Sequence, residues 1–139
     1  MSLQQTLCII KPDAIERNII GSIINILEKN DLKVIQLLMT HLTVEQARNF
    51  YSVHKGKPFY EDLVIYMTSN KVIAIVLEGE NAVEKYRSIM GSTDPDAAKD
   101  GTIRKLFAES MKRNTVHGSD SLANAATEIN FFFNNQQTK

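Results

Sequence analysis

The sequence predicts an α+β fold: a ferredoxin-like βαββαβ sandwich with an antiparallel four-stranded sheet and additional helices. Short apolar runs rich in β-branched residues recur along the chain, which is typical of strands. Between them, apolar residues return three and four positions apart, which is typical of amphipathic helices. The length of 139 residues favours a single domain, residues 1–139, with its own apolar core.

The chain opens with a predicted strand, helix and strand. An apolar run at 6–10 stops at Lys11 and Pro12, where proline cannot donate to a sheet ladder, so we predict the first strand there. Apolar residues at i, i+3, i+4 and i+7 over 20–27 predict a helix. A Val-, Ile- and Leu-rich stretch at 33–42 then predicts the second strand.

The middle of the chain predicts helices followed by a buried strand. Thr43 and Gln46 have the spacing of a capping box, and the helix that they begin is expected to end before Gly56. A further short helix is predicted over 61–68. The continuous apolar run at 72–77 predicts a third strand that is buried on both faces.

The last third supplies another helix, the fourth strand and the final helix. Asn81 and Glu84 fit a helix start, and a further helix is predicted from Ile103. A short strand at 114–117 precedes the strongest helical periodicity in the chain, over 122–133. The major elements thus run strand, helix, strand, strand, helix, strand, which is the split βαβ order.

Composition narrows the classes of function. Sixteen basic residues balance sixteen acidic ones, so no global positive field attracts nucleic acid or anionic lipid. The longest apolar run, 72–77, is far shorter than the roughly 20 residues of a membrane helix. We therefore expect a cytoplasmic protein with no membrane association and no dedicated nucleic-acid site. The single cysteine, Cys8, lies in an apolar run and is expected to be buried.

Of three histidines, His117 has the surroundings of a catalytic group. It leaves a short strand and is followed by Gly118 and a serine-rich helix start, which would expose its ring at the edge of the sheet. A neutral imidazole can attack an electrophile without a separate base, which suits a phosphoryl acceptor. On spacing alone, catalysis and ordinary packing remain about equally good interpretations. His41 and His54 are interpreted as ordinary edge or surface residues.

A catalytic histidine needs a partner for its second ring nitrogen, and any bound phosphate needs positive charge. Ser119 and Glu128, which lies two turns into the last helix, are the candidates for the partner. The sequence has neither a GxxxxGK[ST] loop nor a GxGxxG fingerprint, so side chains would have to hold a nucleotide. The polar stretch at 91–101 is long for a small domain, and such loops are usually functional.

Residues 114–121 read NTVHGSDS, and this stretch resembles the active-site signature of the nucleoside diphosphate kinase family. The resemblance extends along nearly the whole chain. Residues 9–13 are similar to the family's opening motif, 54–59 to its KPF-type segment, and 77–83 to its LEGENAV stretch; residues 91–104 are similar to its phosphate-side loop.

The resemblance implies a ping-pong kinase that carries the γ-phosphoryl group from a nucleoside triphosphate, chiefly ATP, to a nucleoside diphosphate. His117 would be the nucleophile and become a phosphohistidine at its pros nitrogen. The other catalytic residues implied are Lys11, Tyr51, Ser119 and Glu128. The nucleotide-binding residues implied are Lys11, Phe59, Arg87, Thr93, Arg104 and Asn114.

The same resemblance implies a cofactor, a specificity and an assembly. Mg²⁺ would be held mainly by nucleotide phosphates and water, without a dedicated protein site. Base stacking on Phe59 reads no base edge, which implies low base specificity. The family forms homotetramers or homohexamers, and the apolar segment 131–133 makes association plausible.

Two features depart from the family pattern, and two other functions compete with it. Lys105 and Leu106 replace a glycine and an acidic residue, which puts the contacts that orient Arg104 in doubt, and Val53 replaces a polar residue. An RNA-recognition module shares the predicted fold, but its RNP1 pattern is missing. A phosphohistidine carrier would leave Phe59, among others, with nothing to hold.

Overall fold

The computed structural model describes residues 2–137, and for 134–137 it describes the backbone only. Four antiparallel strands form one sheet in the order β2-β3-β1-β4. The strands are Leu3–Ile10 (β1), Lys33–Thr40 (β2), Val72–Glu80 (β3) and Val116–Gly118 (β4). This sheet confirms the predicted α+β fold class.

Seven helices accompany the sheet in the described part of the chain. They are Pro12–Glu16 (α1), Ile20–Lys29 (α2), Val44–Phe50 (α3), Tyr60–Met67 (α4), Ala82–Met90 (α5), Ile103–Phe107 (α6) and Leu122–Gln137 (α7). Two single 3₁₀ turns, Ser52–His54 and Pro95–Ala97, lie in the connections. No helix in the described range is long and apolar enough to span a bilayer.

The sheet separates two apolar clusters. Alternate residues of β1 point to opposite sides, so Leu7 and Ile9 join one cluster while Cys8 and Ile10 join the other. Helices α2, α5 and α6 cover the Cys8 side, and α3, α4 and α7 cover the opposite side. Because β1 and β3 are covered on both faces, their sequences read as continuous apolar runs rather than as alternation. Cys8 is fully buried, and burial raises the pKa of its thiol to about 12.

Strand ends differ from the predicted ones because they depend on pairing between segments that are distant in the sequence. The first strand begins at Leu3 rather than at residue 6, since Leu3 pairs with Glu80 at the far end of β3. The third strand likewise extends beyond the predicted run 72–77, and the glycine at 79 pairs with Gln4 in this ladder. Helix α1 was not predicted: its five residues are too few to display a helical period, although Pro12 occupies the first turn, where proline is tolerated.

The two predicted helix starts have different outcomes. The capping box is confirmed, because the Thr43 hydroxyl accepts from the Gln46 amide at 3.0 Å and the Gln46 side chain accepts from the Thr43 amide at 2.9 Å. Helix α5 begins after Asn81 as predicted, but the prediction that the Asn81 side chain caps this helix is wrong. Asn81 has φ +49° and its side chain makes no cap hydrogen bond. It lies directly between β3 and α5, where the chain turns through the left-handed region that asparagine tolerates.

The apolar segment 131–133 is not a free surface for association. Phe132 and Phe133 are buried in the cluster of α3, α4 and α7. These two rings belong to the chain's own core, and Phe131 is partly buried against it, so the segment does not supply the support for association that was expected of it. Three of the exposed large apolar side chains lie on strand β2.

Candidate active site

The fold holds His117 at the edge of the sheet. Strand β4 pairs with β1, which places His117 opposite Ile9. The hydroxyl of buried Tyr86 donates to the His117 carbonyl at 2.8 Å and so fixes the backbone from helix α5. Beyond Gly118 the chain enters α7, where the Ser121 hydroxyl accepts from the Asn124 amide at 3.0 Å. The imidazole remains 18% exposed, so a substrate can reach it.

Glu128 orients the imidazole. Its Oε1 accepts from His117 Nε2 at 2.8 Å and from the Ser119 hydroxyl at 2.7 Å. Because a carboxylate only accepts, the neutral imidazole carries its proton on Nε2 and its lone pair on Nδ1. Both residues proposed from the sequence as partners of the second nitrogen thus meet at one atom. Glu128 also stabilises any positive charge that develops on the ring.

A cleft of about 340 Å³ opens beside His117. Its lining includes three side chains predicted to bind phosphate: Arg87, Thr93 and Arg104. Arg87 and Thr93 are exposed, whereas Arg104 is buried. Two cationic side chains and an imidazole facing one cleft make it suitable for a polyphosphate.

Backbone carbonyls orient Arg104. Its guanidinium donates to the carbonyls of Val116 at 2.8 Å, Gly91 at 3.2 Å and Asn114 at 3.4 Å. The following residues, Lys105 and Leu106, are exposed and make none of these bonds. Their departure from the family pattern therefore leaves the orientation of Arg104 intact.

Lys11 and Asn114 form a buried pair behind the cleft. Lys11 Nζ donates to Asn114 Oδ1 at 2.9 Å, and the lysine is only 8% exposed. Burial, and then the nearby charge of Arg104, lowers the pKa of Lys11 to about 7, and the charge of Asp13 opposes both effects. Because Arg104 also bonds to the carbonyl of Asn114, both cations converge on one residue.

A second cleft, of about 690 Å³, reaches His117 from the side of α3 and α7. Tyr51, His54 and Glu128 are part of its lining. The Tyr51 hydroxyl is buried and has no hydrogen-bond partner among residues 2–133, whose side chains the structure describes. Burial, and then the charge of Glu128, raises the pKa of this hydroxyl. A buried hydroxyl without a partner is available to a ligand that supplies one.

Phe59 is the predicted site residue that stands apart. It lines neither cleft; its ring lies 5.1 Å from that of His54, and Lys57 Nζ lies 5.8 Å from its centre. The ring is 44% exposed and so presents a face to solvent. His54, interpreted from the sequence as an ordinary surface residue, lies between Phe59 and Tyr51. Val53 is 79% exposed, so its departure from the family pattern disturbs no packed contact.

Two aromatic residues at the site were missed. The Phe50 ring meets the His117 ring edge-on, with the centres 5.6 Å apart. The Tyr86 hydroxyl donates to the His117 carbonyl. Both fit the inner faces of amphipathic helices, so periodicity assigns them to the core. No local signal in the sequence distinguishes a core aromatic that also touches a candidate catalytic group.

The chain is similar to known proteins over nearly its whole length. A family model described as nucleoside diphosphate kinase matches residues 4–138. The nucleoside diphosphate kinase of a Nitratiruptor species is 56% identical over 131 residues, which cover 94% of this chain and 96% of the relative. That of Lawsonia intracellularis is 52% identical over 132 residues, which cover 95% and 96%.

Solved structures share the fold. The nucleoside diphosphate kinase of Aquifex aeolicus superposes with a TM-score of 0.93 at 38% identity, covering 95% of this chain and 96% of that one. The enzyme from Encephalitozoon cuniculi gives 0.91 at 36% identity, covering 94% and 88%. The resemblance noted in the sequence is thus confirmed, and the chain belongs to the nucleoside diphosphate kinase family of phosphotransferases.

Proposed function

We propose that this protein is a nucleoside diphosphate kinase that works by a ping-pong mechanism through a phosphohistidine on His117. The observation that carries the proposal is the geometry of His117. Its Nε2 is bound to Glu128, while the ring lines a cleft that Arg87 and Arg104 also line. A nucleophile that is already oriented and faces positive charge is the arrangement that phosphoryl transfer requires.

In the first half-reaction, the lone pair on His117 Nδ1 forms a bond to the terminal phosphorus of a nucleoside triphosphate, chiefly ATP. The bond from that phosphorus to the bridging oxygen breaks, its electron pair stays on the oxygen, and a nucleoside diphosphate leaves. The imidazole gains positive charge, which the Glu128 carboxylate stabilises through Nε2. A second diphosphate then attacks the phosphohistidine, and the same steps run in reverse.

The remaining residues hold the nucleotide in this scheme. Arg87, Thr93 and Arg104 would bind the phosphates, because guanidinium groups keep their charge and present forked donors. The Lys11 ammonium would reach the transferred phosphoryl group and the ribose. Asn114, which already accepts from Lys11, would bind a ribose hydroxyl.

Two aromatic residues complete the scheme. The Tyr51 hydroxyl, which has no partner among the described side chains, would bond to the phosphate or to the His117 ring. The exposed face of Phe59 would stack on the base. A stacking platform has no base-edge donors or acceptors, so we propose that purines and pyrimidines are accepted alike.

We propose Mg²⁺ as the cofactor. No group of three or more His, Cys, Asp or Glu side chains in the described chain is arranged to hold a metal ion. The described lining of the cleft beside His117 consists of cationic, hydroxyl and apolar groups rather than carboxylates. This donor set fits an ion that arrives with the nucleotide and keeps phosphate oxygens and water as ligands. When bound, Mg²⁺ would neutralise part of the phosphate charge.

The proposal includes the setting of the enzyme. We propose that the chain acts as one domain, residues 1–139, in the cytoplasm, where nucleotide pools are found. We also propose a homo-oligomer, a tetramer or a hexamer. Its support is the edge strand β2, whose Ile35, Leu37 and Met39 are 40%, 49% and 46% exposed. An unpaired edge with a row of apolar side chains is typical of an association surface.

The test of function is a two-step phosphate transfer. Protein mixed with Mg²⁺ and ATP that is radiolabelled at its γ-phosphate should acquire acid-labile label, and added GDP should remove the label as GTP. His117→Ala should abolish labelling. The matched control is His41→Ala, because His41 is exposed and its ring bonds to the Thr68 carbonyl, away from the cleft, so this variant should label normally.

The same assay separates the competing functions. A phosphohistidine carrier would take up label that GDP fails to remove. An RNA-recognition module would take up no label at all. Equal labelling of the wild-type protein and His117→Ala would exclude His117 as the acceptor.

A further inference from the structure

Thr115, two residues before His117, has a costly backbone conformation. Its φ is +78°, in the left-handed region that a β-branched residue rarely adopts. The residue is completely buried and lies between Asn114 and strand β4. Such a conformation persists only where surrounding contacts enforce it, and it is commonest at functional sites.

The enforcing contacts come from residues 11–13. The buried Asp13 carboxylate accepts from the Thr115 amide at 3.2 Å and from the Thr115 hydroxyl at 2.9 Å. The Thr115 carbonyl in turn accepts from the Lys11 amide at 2.9 Å. The donor and acceptor groups of Thr115 are thus all bound to the segment that begins helix α1.

Other groups fix the carboxylate itself. The Tyr66 hydroxyl, from helix α4, donates to Asp13 Oδ1. The Arg17 guanidinium lies 3.7 Å from Asp13 Oδ2. A fully buried carboxylate with this many partners cannot shift without leaving a donor unpaired.

The turn that Asp13 holds carries the candidate nucleotide ligands. Asn114 precedes Thr115, and its side chain accepts from Lys11 Nζ. Arg104 bonds to the carbonyls on both sides of Thr115, those of Asn114 and Val116. Relaxing Thr115 towards an ordinary φ would therefore rotate the Asn114 side chain and shift the carbonyls that orient Arg104.

We propose that Asp13 is a positioning residue of the active site: by holding Thr115 in its left-handed conformation, it aims Asn114 and Lys11 at the ribose of the nucleotide. This inference rests on the proposed function and adds to it a residue that does not touch substrate. Asp13 acts through the turn 114–116, and its charge also opposes the lowering of the Lys11 pKa.

The test compares two phosphate acceptors. Phosphorylated enzyme is discharged with GDP or with 2′,3′-dideoxy-GDP, and kcat/KM is measured for each per mole of acid-labile phosphate. Asp13→Asn should reduce kcat/KM for GDP by about tenfold, the cost of a lost hydrogen bond to substrate. The kcat/KM for the dideoxy acceptor should fall much less. The ratio of kcat/KM for GDP to kcat/KM for the dideoxy acceptor should therefore decrease towards one. Misfolded protein carries no acid-labile phosphate, so it does not contribute to kcat/KM values that are expressed per mole of that phosphate.

Thr115→Val supplies a second route in case Asp13→Asn does not fold. It removes only the hydroxyl that bonds to Asp13 and leaves the buried charge and Arg17 in place, so the ratio should fall in the same direction by a smaller factor. Glu45→Gln is the control. It removes a first-turn carboxylate from α3, where Glu45 is exposed and away from the site, and should leave the ratio unchanged.

The outcomes separate the two proposals. A wild-type phosphoenzyme that GDP cannot discharge would refute the kinase proposal. If GDP discharges it but both variants keep the wild-type ratio, Asp13 is a purely structural residue and the inference fails. A wild-type ratio already near one would also overturn the inference, since the ribose contact that Asp13 is argued to aim would not exist.

Discussion

Lys11 is buried beside Asn114, and its ammonium loses much of its solvation there. The family motif identifies Lys11, Arg104 and Asn114 in the sequence because the motif is local. It says nothing of the charge state of Lys11, which depends on burial by β1, α6 and the 114–116 turn. The positions of candidate site residues are thus readable from the sequence, whereas their electrostatics require the fold.

This burial predicts proton uptake when nucleotide binds. With a pKa lowered to about 7, Lys11 in the free enzyme is largely neutral at pH 8. Bound phosphate favours the charged ammonium and raises this pKa, so binding should draw a proton from solvent. As pH rises through 7, ADP affinity should therefore weaken.

Calorimetry of ADP binding at pH 8, in two buffers of different ionisation enthalpy, measures that proton. We expect an uptake approaching one proton in the wild-type enzyme. Lys11→Arg provides the control, because arginine remains charged at this pH and should abolish the uptake. Equal uptake by both proteins would assign the proton to another group.

At the scale of elements, hydrophobic patterns together with cap and turn residues predict the order of the four strands and of the longer helices. What the sequence does not reveal is how elements approach one another. Tyr86 on α5 is an ordinary inner-face residue by periodicity, yet it crosses to β4 and bonds to the His117 carbonyl. Helix α1 escaped detection because five residues show no period, although it carries the buried Asp13.

The close approach of α5 and β4 predicts the effect of Gly118→Ala. A Cβ at this position would lie 2.7 Å from the Tyr86 ring and 3.1 Å from the end of Met90. Tyr86 is completely buried and has no room to move, so the substitution should destabilise the fold by roughly 1–3 kcal/mol. It should also slow phosphoenzyme formation, because the ring that fixes the His117 backbone is displaced.

Urea unfolding, followed by circular dichroism, measures the change in the free energy of unfolding. Gly21→Ala is the matched control. A Cβ at Gly21 would meet nothing within 4 Å, and the residue lies in helix α2, where alanine is the better helix former. That variant should be as stable as the wild type or more stable by up to about 1 kcal/mol. If both variants were equally stable, the contact between Gly118 and Tyr86 would be looser than described.

At the scale of the whole molecule, the sheet has two edges of different kinds. Strand β4 ends one side after three residues and leads directly into α7. Strand β2 ends the other side with eight residues, and no neighbouring strand in the described chain pairs with its outer edge. The β2 sequence predicts a strand but not its place at the edge, because strand order depends on which runs pair. An edge of this length with exposed apolar residues invites pairing with a second copy.

We therefore expect Leu37→Lys to dissociate the proposed oligomer. Leu37 is 49% exposed at the middle of β2, and a charge there would be buried against an apolar partner surface, which is costly without a counter-ion. Light scattering coupled to size exclusion should give a lower molar mass than for the wild type at equal concentration. Ile65→Lys is the control, since Ile65 is 65% exposed on α4 and away from the edge. The molar mass of this variant should equal that of the wild type. Because binding between copies adds to stability, the Leu37→Lys melting temperature should also lose its dependence on protein concentration. A mass that falls for Ile65→Lys and not for Leu37→Lys would place the interface on the helical layer instead of the strand edge.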